Sequence, residues 1–236
     1  DDIRRGSGSI LMSRPINGWV LLSGKLAGVL AGVLLIYIIG SAAYVWITEI
    51  NNSAQMNIAS LALYVVAVVA ALAAGAARQY MFGTNFSRYT SSALAFFMVA
   101  GVSFRYVSGN AGDFDLAGLS SLLLLFLATV SFSGIVLMLA VVADSAMVLT
   151  GAILVFFTGL VSKYFFGNYV GGFFGEVLAA VFPNWQTYVI LEKLGVGQTV
   201  ELSYFFQCGA QSLLLTGFYL VLSVILFERI EIKGVA

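Results

Sequence analysis

The sequence predicts an all-α fold, a bundle of helices that crosses a membrane several times. Three observations predict it. Of 236 residues, 61% are hydrophobic and only 9% are charged, whereas a soluble domain is about 45–50% apolar and about 25% charged. The mean hydropathy is +1.00. The apolar residues also fall into long continuous runs rather than alternating patterns. Barrel strands would alternate over about ten residues, so helices are the form that satisfies the backbone in lipid.

The runs justify the elements in order. The candidate spans are 21–47, 58–77, 89–104, 116–142, 147–161 and 202–227. A span needs about 20 residues to cross about 30 Å of hydrocarbon, so the third and fifth are tight. Residues 164–190 resist the scheme. They read YFFGNYVGGFFGEVLAAVFPNWQTYVI, rich in aromatics and glycine. A plain span and a re-entrant or interfacial segment both stand as readings. The aromatics favour the second, because they prefer the headgroup level.

The cations give an orientation. With the N-terminus inside, Arg4, Arg5, Arg14, Lys25, Arg78, Arg88, Arg229 and Lys233 face the cytoplasm, and Arg105, Lys163 and Lys193 lie outside. That bias fits the positive-inside rule. It places the chain in the cytoplasmic (inner) membrane as a multi-pass protein. The chain opens with Asp1 and the polar stretch DDIRRGSGS. This lacks the basic-then-apolar order of a signal peptide. The expectation is that the chain begins inside a longer one, which makes the span count a minimum.

Composition removes several function classes. The net charge is +0, so no bulk field favours nucleic acid. Histidine is absent and Cys208 is the one cysteine, which excludes internal disulfides and histidine chemistry. There is no GxxxxGK phosphate loop, no HExxH, no GxSxG and no CxxC. Enzyme chemistry is therefore not expected of this chain, and no cofactor or metal ligand set is read in it. Ser131 and Ser133 are expected to bond to their own helix backbone.

Four features remain as candidates. Asp144 and Ser145 break the apolar sequence between the fourth and fifth runs. Asp144 reads as a turn residue or, alternatively, as an ion site. Gly24, Gly28 and Gly32 recur every four residues on the first run, beside Ala27 and Ala31. Such a face admits close helix packing, within a subunit or between subunits, with the first preferred. Glu176, Pro183 and Asn184 lie in the outer segment and are candidate gate residues. Finally, residues 1–20 form a cytoplasmic segment ahead of the transmembrane domain 21–236. Its Ser13 and Pro15 suit a helix start, and Arg4, Arg5 and Arg14 suit either a docking surface or an anchor on anionic lipid.

The segment SILMSRPINGWVLLSGKLAG resembles the cytoplasmic loop of ABC-2 type transporter permeases. The resemblance rests on Leu11, Ser13, Arg14, Pro15, Trp19, Leu22, Gly24 and Lys25. The short turn at Asp144, the segment with Pro183 and Asn184, and the terminal LFERIEIKG are also similar to features of that family. Residues 58–104 are poorly covered by it. The resemblance implies a helical bundle of the ABC-2 permease type, with a short coupling helix within residues 3–16 and small outer helices before the last span. It implies that Arg4, Arg5, Arg14 and Pro15 lie near a cytoplasmic ABC ATPase subunit that binds ATP and Mg. A second permease subunit, identical or related, would complete the path, with membrane lipids around it, and export is the expected direction. Common members have two spans before this loop and four after it. This chain shows six candidates after it, and missing N-terminal spans would bring the total to about eight. A secondary transporter or channel, and a structural or assembly subunit of a membrane complex, are the competing readings.

Overall fold

The computed structural model describes residues 17–51, 57–108, 116–165, 172, 183–188 and 201–234. Six long helices account for most of them: α1 (Gly18–Asn51), α2 (Ile58–Phe82), α3 (Phe86–Val107), α4 (Leu116–Val142), α5 (Ser145–Phe165) and α6 (Leu202–Gly234). Among the described residues, the 3-10 turn Trp185–Thr187 stands between α5 and α6. All six helices are long and apolar enough to cross a membrane. The protein is a polytopic α-helical membrane protein. Its side chains agree with that surrounding: Ile36, Val66, Leu214 and Phe206 are all exposed, which lipid favours and water does not.

The helices exceed the apolar runs at most ends. α3 starts at Phe86, three residues before the run, and α5 ends at Phe165, four residues beyond it. The extra residues are mostly polar or aromatic side chains, suited to the interface. α1 has 34 residues, so it is about 51 Å long. That surpasses the hydrocarbon thickness, which demands tilt or protrusion.

Local chemistry sets the ends. Asn57 caps α2 by accepting the Ser60 N–H at 3.2 Å. Gly83 ends α2 in the left-handed region, with φ of 62°, a conformation glycine adopts without penalty. Asp144 caps α5: its Oδ1 accepts the Met147 N–H at 3.0 Å. Ala143 and Asp144 thus form the whole connector between α4 and α5, and Asp144 serves the helix terminus.

The chain divides into two compact units. One is Gly32–Leu122. It is built on the α2–α3 hairpin and the C-terminal part of α1. Its core is Ala42, Trp46, Ala67 and Met98. Small residues allow the close approaches. A Cβ at Gly75 would strike the Thr90 hydroxyl, and one at Gly118 would strike the Tyr44 hydroxyl. Glu49 and Arg105, each near a helix C-terminus, form an ion pair whose side chains are 10% and 8% exposed. Arg105 Nε donates to Glu49 Oε1 at 2.8 Å.

The other unit comprises described residues 17–31 and 123–234. Its core is Leu124, Ile135, Trp185, Tyr188, Cys208, Leu215 and Tyr219. The α4 and α6 backbones meet at Gly134, where a Cβ would lie 3.1 Å from the Thr216 Cα. α6 presents Cys208, Ser212, Leu215, Thr216 and Tyr219 inward. That is the 3–4 residue spacing of one helix face.

Candidate functional site

In the second unit, hydroxyls bind α4 to α6. Ser212 Oγ donates to the Leu127 carbonyl at 2.7 Å. Ser131 Oγ donates to Ser212 Oγ at 3.0 Å. Thr216 Oγ1 reaches the Val130 carbonyl at 3.2 Å and its own Ser212 carbonyl at 2.8 Å. All three of these residues are buried. Between apolar helices, such bonds and close backbone contact replace the hydrophobic effect as the source of association. Ser133 bonds to the Thr129 carbonyl of its own helix at 2.8 Å, as expected. Ser131 bonds to its own helix at Leu127 and also crosses to α6. Sequence spacing marks Ser212 and Thr216 as one face, but it does not show that they meet Ser131.

The Pro183–Tyr188 turn rests on this seam and on α5. Pro183 is fully buried, and its carbonyl accepts the Ser162 hydroxyl at 3.3 Å. Asn184 Oδ1 accepts the Gln186 N–H at 3.2 Å, which starts the 3-10 turn. Gln186 Nε2 donates to the Leu160 carbonyl at 2.8 Å. The Tyr204 hydroxyl donates to the Thr187 carbonyl. Three hydrogen bonds to α5 and α6 thus hold a segment of six residues.

Aromatic packing completes it. Trp185 meets Phe132 edge to face, with centroids 5.8 Å apart. Its indole lies on Gly159, where a Cβ would clash with Nε1. Glycine is required there because the ring occupies the side-chain position. Trp185 is buried and its Nε1 has no hydrogen-bond partner among the described residues, so packing outweighs the lost bond. The Tyr188 hydroxyl lies 3.5 Å from Ser131 Oγ.

The turn packs against the middle of α4, and against α5 and α6 within six residues of the α5 C-terminus and the α6 N-terminus. Phe132 lies ten residues before the end of α4, and Gly159 lies fourteen after the start of α5. At 1.5 Å per residue these are about 15 and about 21 Å from the Asp144 connector.

Three candidates from the sequence occupy α1. A Cβ at Gly24, Gly28 or Gly32 meets no described atom within 4 Å, and all three are exposed. A partner for this face within the subunit is not seen among the described residues. Pro183 and Asn184 meet in the turn just described. Arg4, Arg5, Arg14, Pro15 and Glu176 lie outside the described residues, as do the coupling helix expected within residues 3–16 and most of 164–190. Among the described residues no cluster of three or more His, Cys, Asp or Glu could hold a metal ion. No family model matches the chain, and no curated protein or solved structure matches it either. The arrangement binds helices and a turn through hydroxyls, carbonyls and rings.

Proposed function

We propose that the chain is the permease subunit of an ATP-driven ABC transporter, of the ABC-2 type, in the cytoplasmic membrane. The observation that carries the reading is the basic, proline-punctuated segment around Arg14 and Pro15, directly before Lys25 and the first long helix. Arg4, Arg5 and Arg14 rest on a separate ATPase subunit, which holds ATP and Mg. α1 begins at Gly18, and Asn17 Oδ1 accepts the Trp19 N–H at 3.0 Å. A movement of the preceding segment is therefore delivered to a helix of 34 residues. ATP shifts the permease because the ATPase contacts it differently in its two states.

The Pro183–Tyr188 turn then acts as an outer re-entrant element. Its contact with Phe132, midway along α4, supports that reading. Pro183 and Asn184 shape it, with Glu176 on the segment before it. The direction is export. A second permease subunit packs on the Gly24–Gly28–Gly32 face, whose exposure supports a seam between subunits.

Co-expression with the neighbouring ATPase, followed by purification in mild detergent, tests the proposal. The two chains are expected to copurify, with ATP hydrolysis that R14E reduces and R229Q does not. Recovery of the chain without any ATPase, from cells that express both, would count against it. An assembly subunit is the competing reading, favoured by the same glycine face. In that case Gly28→Leu releases partners and leaves every measured flux unchanged.

A further inference from the structure

The α2–α3 hairpin ends in a compact basic tip that the transport reading does not use. Its connector is Gly83, Thr84 and Asn85. The Gly83 N–H bonds to the Gln79 carbonyl at 2.9 Å, and Thr84 Oγ1 reaches back to the Arg78 carbonyl at 3.3 Å. Lower in the hairpin, Gly75 and Thr90 bring the helices into direct contact. The tip is therefore a fixed structure.

Two arginines stand on it. Arg78 and Arg88 lie within about one or two helical turns of the connector, and both are exposed. The Arg78 guanidinium sits over the Tyr89 ring at 4.5 Å and over the Phe82 ring at 5.3 Å. Two rings thus hold one cation in place. Arg88 occupies the first turn of α3, where the helix dipole disfavours a cation. Helix stability does not account for it.

Nothing acidic balances them locally. Between Glu49 and Asp113 the sequence has no acidic residue. Glu49 is already paired with Arg105. Among the described residues neither Arg78 nor Arg88 has an ion-pair partner. Around them, Tyr80 is 93% exposed, Met81 66% and Phe82 65%. The tip thus presents cations among exposed aromatic and apolar side chains at the end of two membrane-crossing helices. Interfacial aromatics settle at the headgroup level, which puts both guanidiniums beside lipid phosphates.

We propose that the α2–α3 tip is a binding site for the headgroup of an anionic phospholipid, with Arg78 and Arg88 as its cations and Tyr89 as the ring that positions Arg78. Planar guanidiniums match phosphate oxygens in geometry as well as charge. The site holds lipid at a defined place on the hairpin, in addition to the diffuse attraction of the basic surface.

Native mass spectrometry of the full chain in detergent, titrated with dioleoyl phosphatidylglycerol or dioleoyl phosphatidylcholine, tests it. The wild-type chain is expected to retain the anionic lipid preferentially, and added salt to lower the preference. Each neutralised arginine is expected to cost about fivefold, so R78Q/R88Q loses about 25-fold. R78K/R88K, which keeps the charges but loses the planar guanidiniums, falls between the wild type and R78Q/R88Q. Y89L, with both charges intact, loses part of it. R229Q, remote in sequence, leaves it unchanged. Equal retention of the two lipids by the wild-type chain overturns the proposal. So does a preference that salt leaves intact, an R78Q/R88Q chain that behaves as wild type, or an R229Q loss as large as that of the double variant. A Y89L chain with full preference removes Tyr89 from the site.

Discussion

Trp46 donates its indole N–H to the backbone carbonyl of Met98 at 3.3 Å, from α1 to α3. The indole is fully buried, and the edge beside its N–H lies on Gly101. The bond satisfies the one polar atom of the ring. Glycine at 101 provides the space for the rest.

Gly101→Leu is therefore expected to destabilise the Gly32–Leu122 unit. A Cβ there already meets the Trp46 ring, and overpacking of this kind costs about 1–3 kcal/mol. Thermal unfolding of the purified variant in detergent, followed by circular dichroism, should show a lowered midpoint. W46F, which removes the bond and shrinks the ring, should partly restore the midpoint of Gly101→Leu. A midpoint unchanged in Gly101→Leu would show that Trp46 does not hold this position.

Glu49 and Arg105 form the second strong link in the same unit. Both side chains are about nine-tenths buried, so removing one leaves a charge without its partner. Loss of one member of such a pair costs about 3–5 kcal/mol. E49Q and R105Q are each expected to lower stability by that order, whereas E49Q/R105M loses much less than the sum. A double-mutant cycle by chemical unfolding measures the coupling. Additive losses would mean that the two charges do not act as a pair.

The membrane class and the six helices were legible because apolar length is a direct signal in lipid. The Asp144 turn was legible too, since a short polar break between two long runs leaves room for little else. Side-chain partners were not. Glu49 and Arg105 are 56 residues apart, and each resembles an ordinary charge at a helix end. Ser131 could be placed on a helix, and its bond to the Leu127 carbonyl expected, but its bond to Ser212 depends on which helices become neighbours. Trp185 reads as an interfacial anchor from its aromatic surroundings. It is buried instead, because Gly159 opens a place for the ring. For the glycine face of α1 the spacing admits packing within or between subunits, and no described atom lies within 4 Å of a Cβ there.

The α4–α6 seam separates two ways of holding membrane helices together. Ser212→Ala removes hydroxyl bonds to Leu127 and Ser131 but keeps the helices close. Interhelical bonds in membranes average about 0.6 kcal/mol and reach about 1.7 at most, so a small loss is expected. Gly134→Leu leaves every hydroxyl in place, yet its Cβ would approach the Thr216 Cα to 3.1 Å. Backbone cannot yield as a flexible side chain does, so the helices must separate. The seam bonds at Ser131, Ser212 and Thr216 then lengthen together, and the Pro183–Tyr188 turn loses the Ser131 contact with Tyr188. Gly134→Leu is thus expected to be several times more destabilising than Ser212→Ala. Unfolding of both variants in the same detergent decides between them. A larger loss in Ser212→Ala would mean that the hydroxyls, and not the close backbone approach, carry the α4–α6 association.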